Sequence, residues 1–114
     1  MTGSSSLNWK TRVELRLDQL AKDKKTITYA ILAEQTGIPA PHRIHKLTIF
    51  LESLMEIDAR LEMPQRSAVV VSRTNGLPGN GFFDKLYELG LMTADENRQN
   101  LHDRLMAELT SRQP

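Results

Sequence analysis

The chain has 114 residues, no cysteine, a formal net charge of +1 and a hydrophobic fraction of 39%, which is ordinary for a globular domain. This length fits one domain that buries roughly two-thirds of its unfolded surface. The absence of cysteine excludes disulfides, a thiol nucleophile and a cysteine-ligated metal centre, and it fits a reducing cytoplasm. No apolar run reaches the ~18 residues of a membrane helix. Because the net charge is small, a nucleic-acid site must concentrate its positive charge on one face.

The first part of the chain predicts a lead-in, a helix and a short strand. Residues 1–6 lack the basic and apolar regions of a signal peptide, and we expect them to be disordered, with residues 7–114 forming a single domain. The first helix is predicted from residues 6–8 to about Asp23, because its apolar residues recur at helical spacing: Trp9, Val13, Leu17 and Leu20. Thr26-Ile27 is predicted as one strand of a small sheet.

A helix, a short turn and a further helix are predicted next. Thr28 can cap a helix over residues 29–35, because its hydroxyl can accept a free backbone N–H. Gly37 suits a left-handed cap at the end of that helix. Pro41 fits the first turn of a third helix that extends to about Leu61 along an apolar stripe. This order of elements is the helix-turn-helix pattern.

The following segment predicts a strand, a loop and a short helix. Ala68–Val71 is a β-branched run typical of a strand. Three glycines and a proline within residues 74–81 predict a structured loop, which we interpret as a wing. Residues 82–89 then predict a short helix that Gly90 ends.

The last helix is expected after a capping box formed by Thr93 and Glu96. Leu101, Leu105 and Leu109 form one stripe along this helix. We expect the stripe to pack on its own domain, and a homodimer through the C-terminal helix is the alternative.

Two stretches around the predicted turn match a known family in order and separation. Residues 26–33, Thr-Ile-Thr-Tyr-Ala-Ile-Leu-Ala, look like the Thr-Tyr-Gly-x-x-Ala element of the alkylguanine-DNA alkyltransferase DNA-binding domain. Residues 37–44, Gly-Ile-Pro-Ala-Pro-His-Arg-Ile, are similar to its Gly-x-Pro-x-x-x-Arg stretch. The resemblance implies that Tyr29 contacts a target phosphate and that Arg43 enters the base stack from the minor groove. The fold that we predict is α+β and mostly helical, a winged helix-turn-helix with a small two- or three-stranded sheet and an additional C-terminal helix.

The sequence also departs from that family. Gln65–Ala68 stands where the Pro-Cys-His-Arg motif is expected, Ala30 replaces a glycine, and the stretch from Leu47 to Val69 is longer. Because the cysteine is missing, alkyl transfer has no nucleophile. We therefore predict a non-enzymatic protein without a cofactor. Members of the family that lack the cysteine bind DNA lesions, so the resemblance points to a regulatory or damage-recognition role.

A basic cluster marks the start of the predicted third helix. A recognition helix presents its N-terminal residues to DNA, and helix-terminal N–H groups beside Arg or Lys favour phosphate. We therefore predict that the protein binds double-stranded DNA. Arg73, beside the Asn75-Gly76 turn, is expected at the wing, with Arg66 nearby. The predicted DNA-binding residues are Tyr29, His42, Arg43, His45, Lys46, Arg66 and Arg73.

A protein-interaction module is the alternative function that the sequence supports, whereas a metal site, a P-loop and a catalytic cluster fit it less well. The near-neutral net charge and the long apolar third helix also favour a protein-interaction module that keeps the fold without binding DNA. His42 and His45 share a helix face, but two histidines fall short of the ligands that zinc needs, so no metal site is predicted. The glycine-rich loop lacks the Gly-Lys-Ser/Thr ending of a P-loop. Aspartates and glutamates are spread along helix faces without a catalytic cluster.

Overall fold

The structure, a computed structural model, describes residues 8–111, so the lead-in expected at residues 1–6 lies outside the described residues. The described residues form a mostly helical α+β fold. The helices are α1 (Trp9–Asp23), α2 (Tyr29–Thr36), α3 (Arg43–Arg60), α4 (Asn80–Glu88) and α5 (Arg98–Ser111). The strands are β1 (Ile27–Thr28) and β2 (Val70–Val71), and a 3₁₀ helix covers Arg66–Val69. Within residues 8–111, every helix is too short or too polar to cross a membrane.

Side-chain and glycine caps set the ends of α1 and α2. The Asn8 carboxamide oxygen accepts a hydrogen bond from the Thr11 N–H at 2.9 Å, which starts α1. The Thr28 hydroxyl accepts from the Ile31 N–H at 3.3 Å, as predicted for α2. Gly37 ends α2 in the left-handed conformation, with φ of 72°. A glycine adopts this conformation without the steric penalty of a Cβ, so the predicted cap is confirmed.

The third helix begins later than the sequence predicts. We expected Pro41 in its first turn, but α3 starts at Arg43. His42 lies in the left-handed region with φ of 62°, which ordinary helical backbone does not adopt. The first helical bond runs from the Lys46 N–H to the His42 carbonyl at 3.0 Å. The connection between α2 and α3 therefore runs from Gly37 through His42.

In the core, α1, α3 and α5 pack against the 3₁₀ helix, and α2 packs against α3 and the two short strands. β1 and β2 pair in parallel, with Ile27 opposite Val70. The leucine stripe of α5 lies in this core, because each of its three leucines is at most 5% exposed. A homodimer through α5 would therefore have to use other residues of that helix. The largest fully buried side chains are those of Val13, Leu17, Leu32, Ile38, Leu47, Met55, Val69, Val70 and Leu86.

Of the segment that the sequence predicts as a strand, Val70–Val71 is extended as predicted, and Ala68 and Val69 instead end a 3₁₀ helix. The Gln65 Nε2 donates to the Met55 carbonyl at 3.2 Å, and the Ser67 hydroxyl donates to the Leu51 carbonyl at 3.0 Å. These two bonds hold the segment against α3 in a tight turn. Because the sheet of residues 8–111 has only two parallel strands, the loop after Val71 leads into α4 rather than into an antiparallel hairpin.

The last helix also starts later than predicted. The expected contact between Thr93 and Glu96 forms, since the Thr93 N–H donates to the Glu96 Oε1 at 2.9 Å. It closes an isolated turn rather than a helix. α5 begins at Arg98, where the Asn97 Oδ1 accepts from the Asn100 N–H at 2.9 Å. Asn97 therefore does the capping that the sequence assigned to Thr93.

Candidate nucleic-acid interface

The two halves of α3 carry opposite charge. Residues 35–51 contain no aspartate or glutamate. Residues 52–62 contain four acidic side chains and one arginine. Because a helix rises about 1.5 Å per residue, the two ends of α3 lie about 27 Å apart. The basic side chains of the acid-free half are those of His42, Arg43, His45 and Lys46.

The first turns of α1 extend this positive region. The Arg12 Nη1 donates to the Thr36 carbonyl at 3.2 Å, where α2 ends. The Lys10 Nζ lies 5.8 Å from the centroid of the Phe50 ring. Lys10 and Lys46 line one surface groove of about 300 Å³ together with Phe50. We call this surface the basic end, and it comprises Lys10, Arg12, His42, Arg43, His45 and Lys46.

The basic side chains at the start of α3 can meet an anion from outside the protein. His42, Arg43 and His45 are exposed, and Lys46 is half-buried. The Lys46 Nζ donates to the Pro39 carbonyl at 2.9 Å, so the side chain braces the turn before α3 and keeps its charge. Among residues 8–111, no carboxylate lies within ion-pair distance of Lys10, Arg43 or Lys46. The first turn of α3 has neither a side-chain cap nor an acidic residue, so its N–H groups also favour an anionic group.

Tyr29 is half-buried beside the loop that precedes α4. Its hydroxyl oxygen accepts from the Gly79 N–H at 2.9 Å, which ties the loop to the start of α2. Burial raises the pKa of Tyr29, the Gly79 N–H opposes this shift, and the charge of Glu52 adds to it. No described residue accepts from the Tyr29 O–H, which is left to donate to an outside acceptor. The negative charge of Glu52 disfavours a phosphate at this hydroxyl.

Arg66, which we predicted to contact DNA, is engaged by two carboxylates of its own chain. Its Nη2 lies 2.9 Å from the Asp58 Oδ1, and its Nη1 lies 3.0 Å from the Glu14 Oε1. Its backbone N–H also donates to the Asp58 Oδ2 at 3.0 Å. Burial alone would lower the Arg66 pKa, but hydrogen bonds and charges from both carboxylates raise it. Because the guanidinium is already engaged, we leave Arg66 out of the interface.

Arg73 lies in the loop of residues 72–79 and is exposed. The loop has its own hydrogen bonds, with the Ser72 N–H donating to the Leu77 carbonyl at 2.7 Å. Among residues 8–111, no hydrogen bond or ion pair joins Arg73 to the basic end. The structure thus brings four of the predicted residues together at the start of α3 and leaves Tyr29, Arg66 and Arg73 at other positions.

Three further cations were missed from the sequence. Lys10 and Arg12 precede the first acidic residue of the described chain, Glu14, and that acid-free start is the signal that points to them. Arg98 stacks on Phe83, with 4.7 Å between its guanidinium carbon and the ring centroid. It borders a cavity of about 220 Å³ beside the 72–79 loop, and no local pattern predicts that position.

Comparison with protein-family models, curated protein sequences and solved structures finds no match to this chain. Among residues 8–111, no three His, Asp or Glu side chains gather in a way that could hold a metal ion.

Proposed function

We propose that the protein binds double-stranded DNA through the basic end and catalyses no reaction on it. The observation that carries this proposal is the set of cations at the start of α3 that have no carboxylate partner among the described residues, continued by Lys10 on α1. The DNA backbone presents closely spaced negative charges, and unpaired Lys and Arg side chains neutralise them. A stretch without carboxylates, residues 35–51, avoids the repulsion that acidic side chains within it would add.

In this proposal α2, the turn from Gly37 to His42, and α3 act as a helix-turn-helix. The second helix of that motif places its first residues at the base edges, while contacts to phosphates fix its orientation. Arg43 is the first residue of α3 and is exposed, so it is our candidate for a base contact. Lys10 and Lys46 flank it and suit phosphates.

The 72–79 loop takes the place of a wing in this arrangement. Arg73 would meet a phosphate beyond the helix, and the free O–H of Tyr29 would donate to another. The Tyr29 and Arg43 roles agree with the resemblance to the alkyltransferase DNA-binding domain. A regulatory or damage-recognition role follows from that resemblance alone, and comparing lesion-bearing with intact duplex in the same assay tests it.

A second group of cations provides a control for location. Lys22 and Lys25 lie at the other end of α1, where Asp18 and Asp23 reduce the local positive charge. Their replacement by glutamate lowers the net charge as much as the same change at Lys10 and Arg43. The two double variants therefore differ in place and not in total charge.

Fluorescence anisotropy of a labelled random-sequence duplex at low salt tests the proposal. The wild type and the Lys22→Glu, Lys25→Glu variant should bind, and the Lys10→Glu, Arg43→Glu variant should lose binding. Absence of wild-type binding at low salt would contradict DNA binding itself. An equal loss in both variants would show that net charge, and not the basic end, is responsible.

A further inference from the structure

The far end of α3 carries an open apolar surface. Two adjoining cavities, of about 430 and 520 Å³, share Met63 and Pro64 and lie where the end of α3 meets α5. Leu61 lines one cavity and is 63% exposed, and Leu91 lines the other and is 37% exposed. Large apolar side chains exposed together, rather than singly, are typical of interaction sites. We call this surface the apolar end.

The charge around the apolar end is negative. Asp18 and Glu62 line the cavities, and neither has an ion-pair partner among residues 8–111. The cations that also line them are already engaged, Arg66 with Asp58 and Arg104 with glutamates at 3.6 and 4.0 Å. An occupant with positive charge is therefore favoured over one with negative charge.

Gln65 adds a buried hydrogen-bond acceptor to the same surface. It lines the 430 Å³ cavity and is 2% exposed. Its Nε2 donates to the Met55 carbonyl, but its buried Oε1 has no partner among the described residues. Buried polar atoms are nearly always hydrogen-bonded, so this acceptor suits an occupant that brings an N–H donor. Lysine and arginine carry such donors.

We propose that the apolar end binds an amphipathic helix of a partner protein that carries apolar anchors and flanking Lys or Arg side chains. Two adjoining cavities suit two anchors on one face of a helix, which is a recurrent mode of peptide recognition. The flanking cations would lie near Asp18 and Glu62. A symmetric contact with a second copy would instead bring these carboxylates together. The site lies at the other end of α3 from the basic end, so it does not depend on DNA binding.

The test uses a labelled peptide of about 15 residues, or about four helical turns, with leucine at helical spacing and lysine elsewhere. A matched peptide carries glutamate in place of lysine. The full chain should bind the lysine peptide and not the glutamate peptide. Leu61→Asp should weaken binding of the lysine peptide about tenfold, because it removes one of the apolar side chains that would contact the leucines of the peptide. Ile49→Asp is the matched control, since Ile49 is 57% exposed in the other half of the same helix, and it should bind normally.

A charge variant tests the same surface without removing apolar contacts. Asp18→Lys combined with Glu62→Lys should weaken the lysine peptide and favour the glutamate peptide. Equal binding of the two peptides, or equal losses in Leu61→Asp and Ile49→Asp, would overturn the proposal. So would binding that needs deletion of residues 112–114, since the chain's own end would then be the occupant. Self-association that Leu61→Asp abolishes, without peptide binding, would assign the surface to a second copy.

Discussion

Replacement of Arg43 by alanine should reduce both the affinity for duplex DNA and its dependence on salt. Lys10, Arg43, Lys46 and Arg73 have no carboxylate partner among the described residues, so we count one neutralised DNA charge for each. About four neutralised charges give a slope of about −3.6 for log affinity against log salt concentration, and about three give about −2.7. A fourfold rise in salt should then weaken the wild type about 150-fold and the variant about 40-fold.

Anisotropy titrations of one random duplex over a range of sodium chloride concentrations measure both slopes. Arg60→Ala is the matched control, because Arg60 is the same residue type about 25 Å away at the other end of α3. It should keep the wild-type slope, and thermal unfolding should show that all three proteins are folded. An unchanged slope in Arg43→Ala would refute the contact of Arg43 with DNA, and a reduced slope in Arg60→Ala would refute the location of the site.

Three further predictions concern the fold. Arg66→Ala should lower the free energy of unfolding by about 3 kcal/mol in urea titrations, because Asp58 would be left buried without its partner; an unchanged midpoint would contradict this. Gly37→Ala should lower the free energy of unfolding by about 1 kcal/mol, because a Cβ strains the backbone at the φ of 72° that Gly37 adopts. A variant more stable than the wild type would disprove this strain. Tyr29 should ionise above its ordinary pKa of 10.0 in an absorbance titration, and Tyr29→Phe should remove that transition. Since the folded-state pKa is raised, the stability that the neutral Tyr29 hydroxyl contributes is complete below pH 10.0 and is lost as pH rises through the folded-state pKa. Because Tyr87 also absorbs, the Tyr29 transition is the one that Tyr29→Phe removes, and finding that transition at 10.0 would contradict the prediction.

The helix ends that the sequence predicts correctly are those set by neighbouring residues. Thr28 acts on an N–H three residues away, and Gly37 acts through its own backbone. The 3₁₀ helix could not be predicted in this way, because a valine run is typical of a strand. Its shape depends on Gln65 and Ser67, which bind carbonyls of α3 that lie ten and sixteen residues earlier in the chain.

In the candidate site, too, some residues can be predicted from their neighbours in the sequence and others only from their contacts in the folded chain. The basic start of α3 is visible as a run of neighbouring residues. Lys10 joins it only because folding brings the start of α1 to Phe50 of α3, where the centroids of the Trp9 and Phe50 rings lie 5.5 Å apart. Arg66 looked equally available in the sequence, but folding brings it to Glu14, which is 52 residues away. Single charges therefore cannot be assigned to a surface before their partners in space are known.

The basic start of α3 has a consequence for the stability of the helix itself. The N-terminus of a helix is the positive end of its dipole, so a positive side chain in the first turn costs about 0.3–1 kcal/mol. Arg43 stands in that turn without an acidic neighbour or a capping side chain. A sequence optimised only for stability would place Asp or Glu there. A bound phosphate would supply the missing negative charge, so α3 should be most stable when its first turn is occupied.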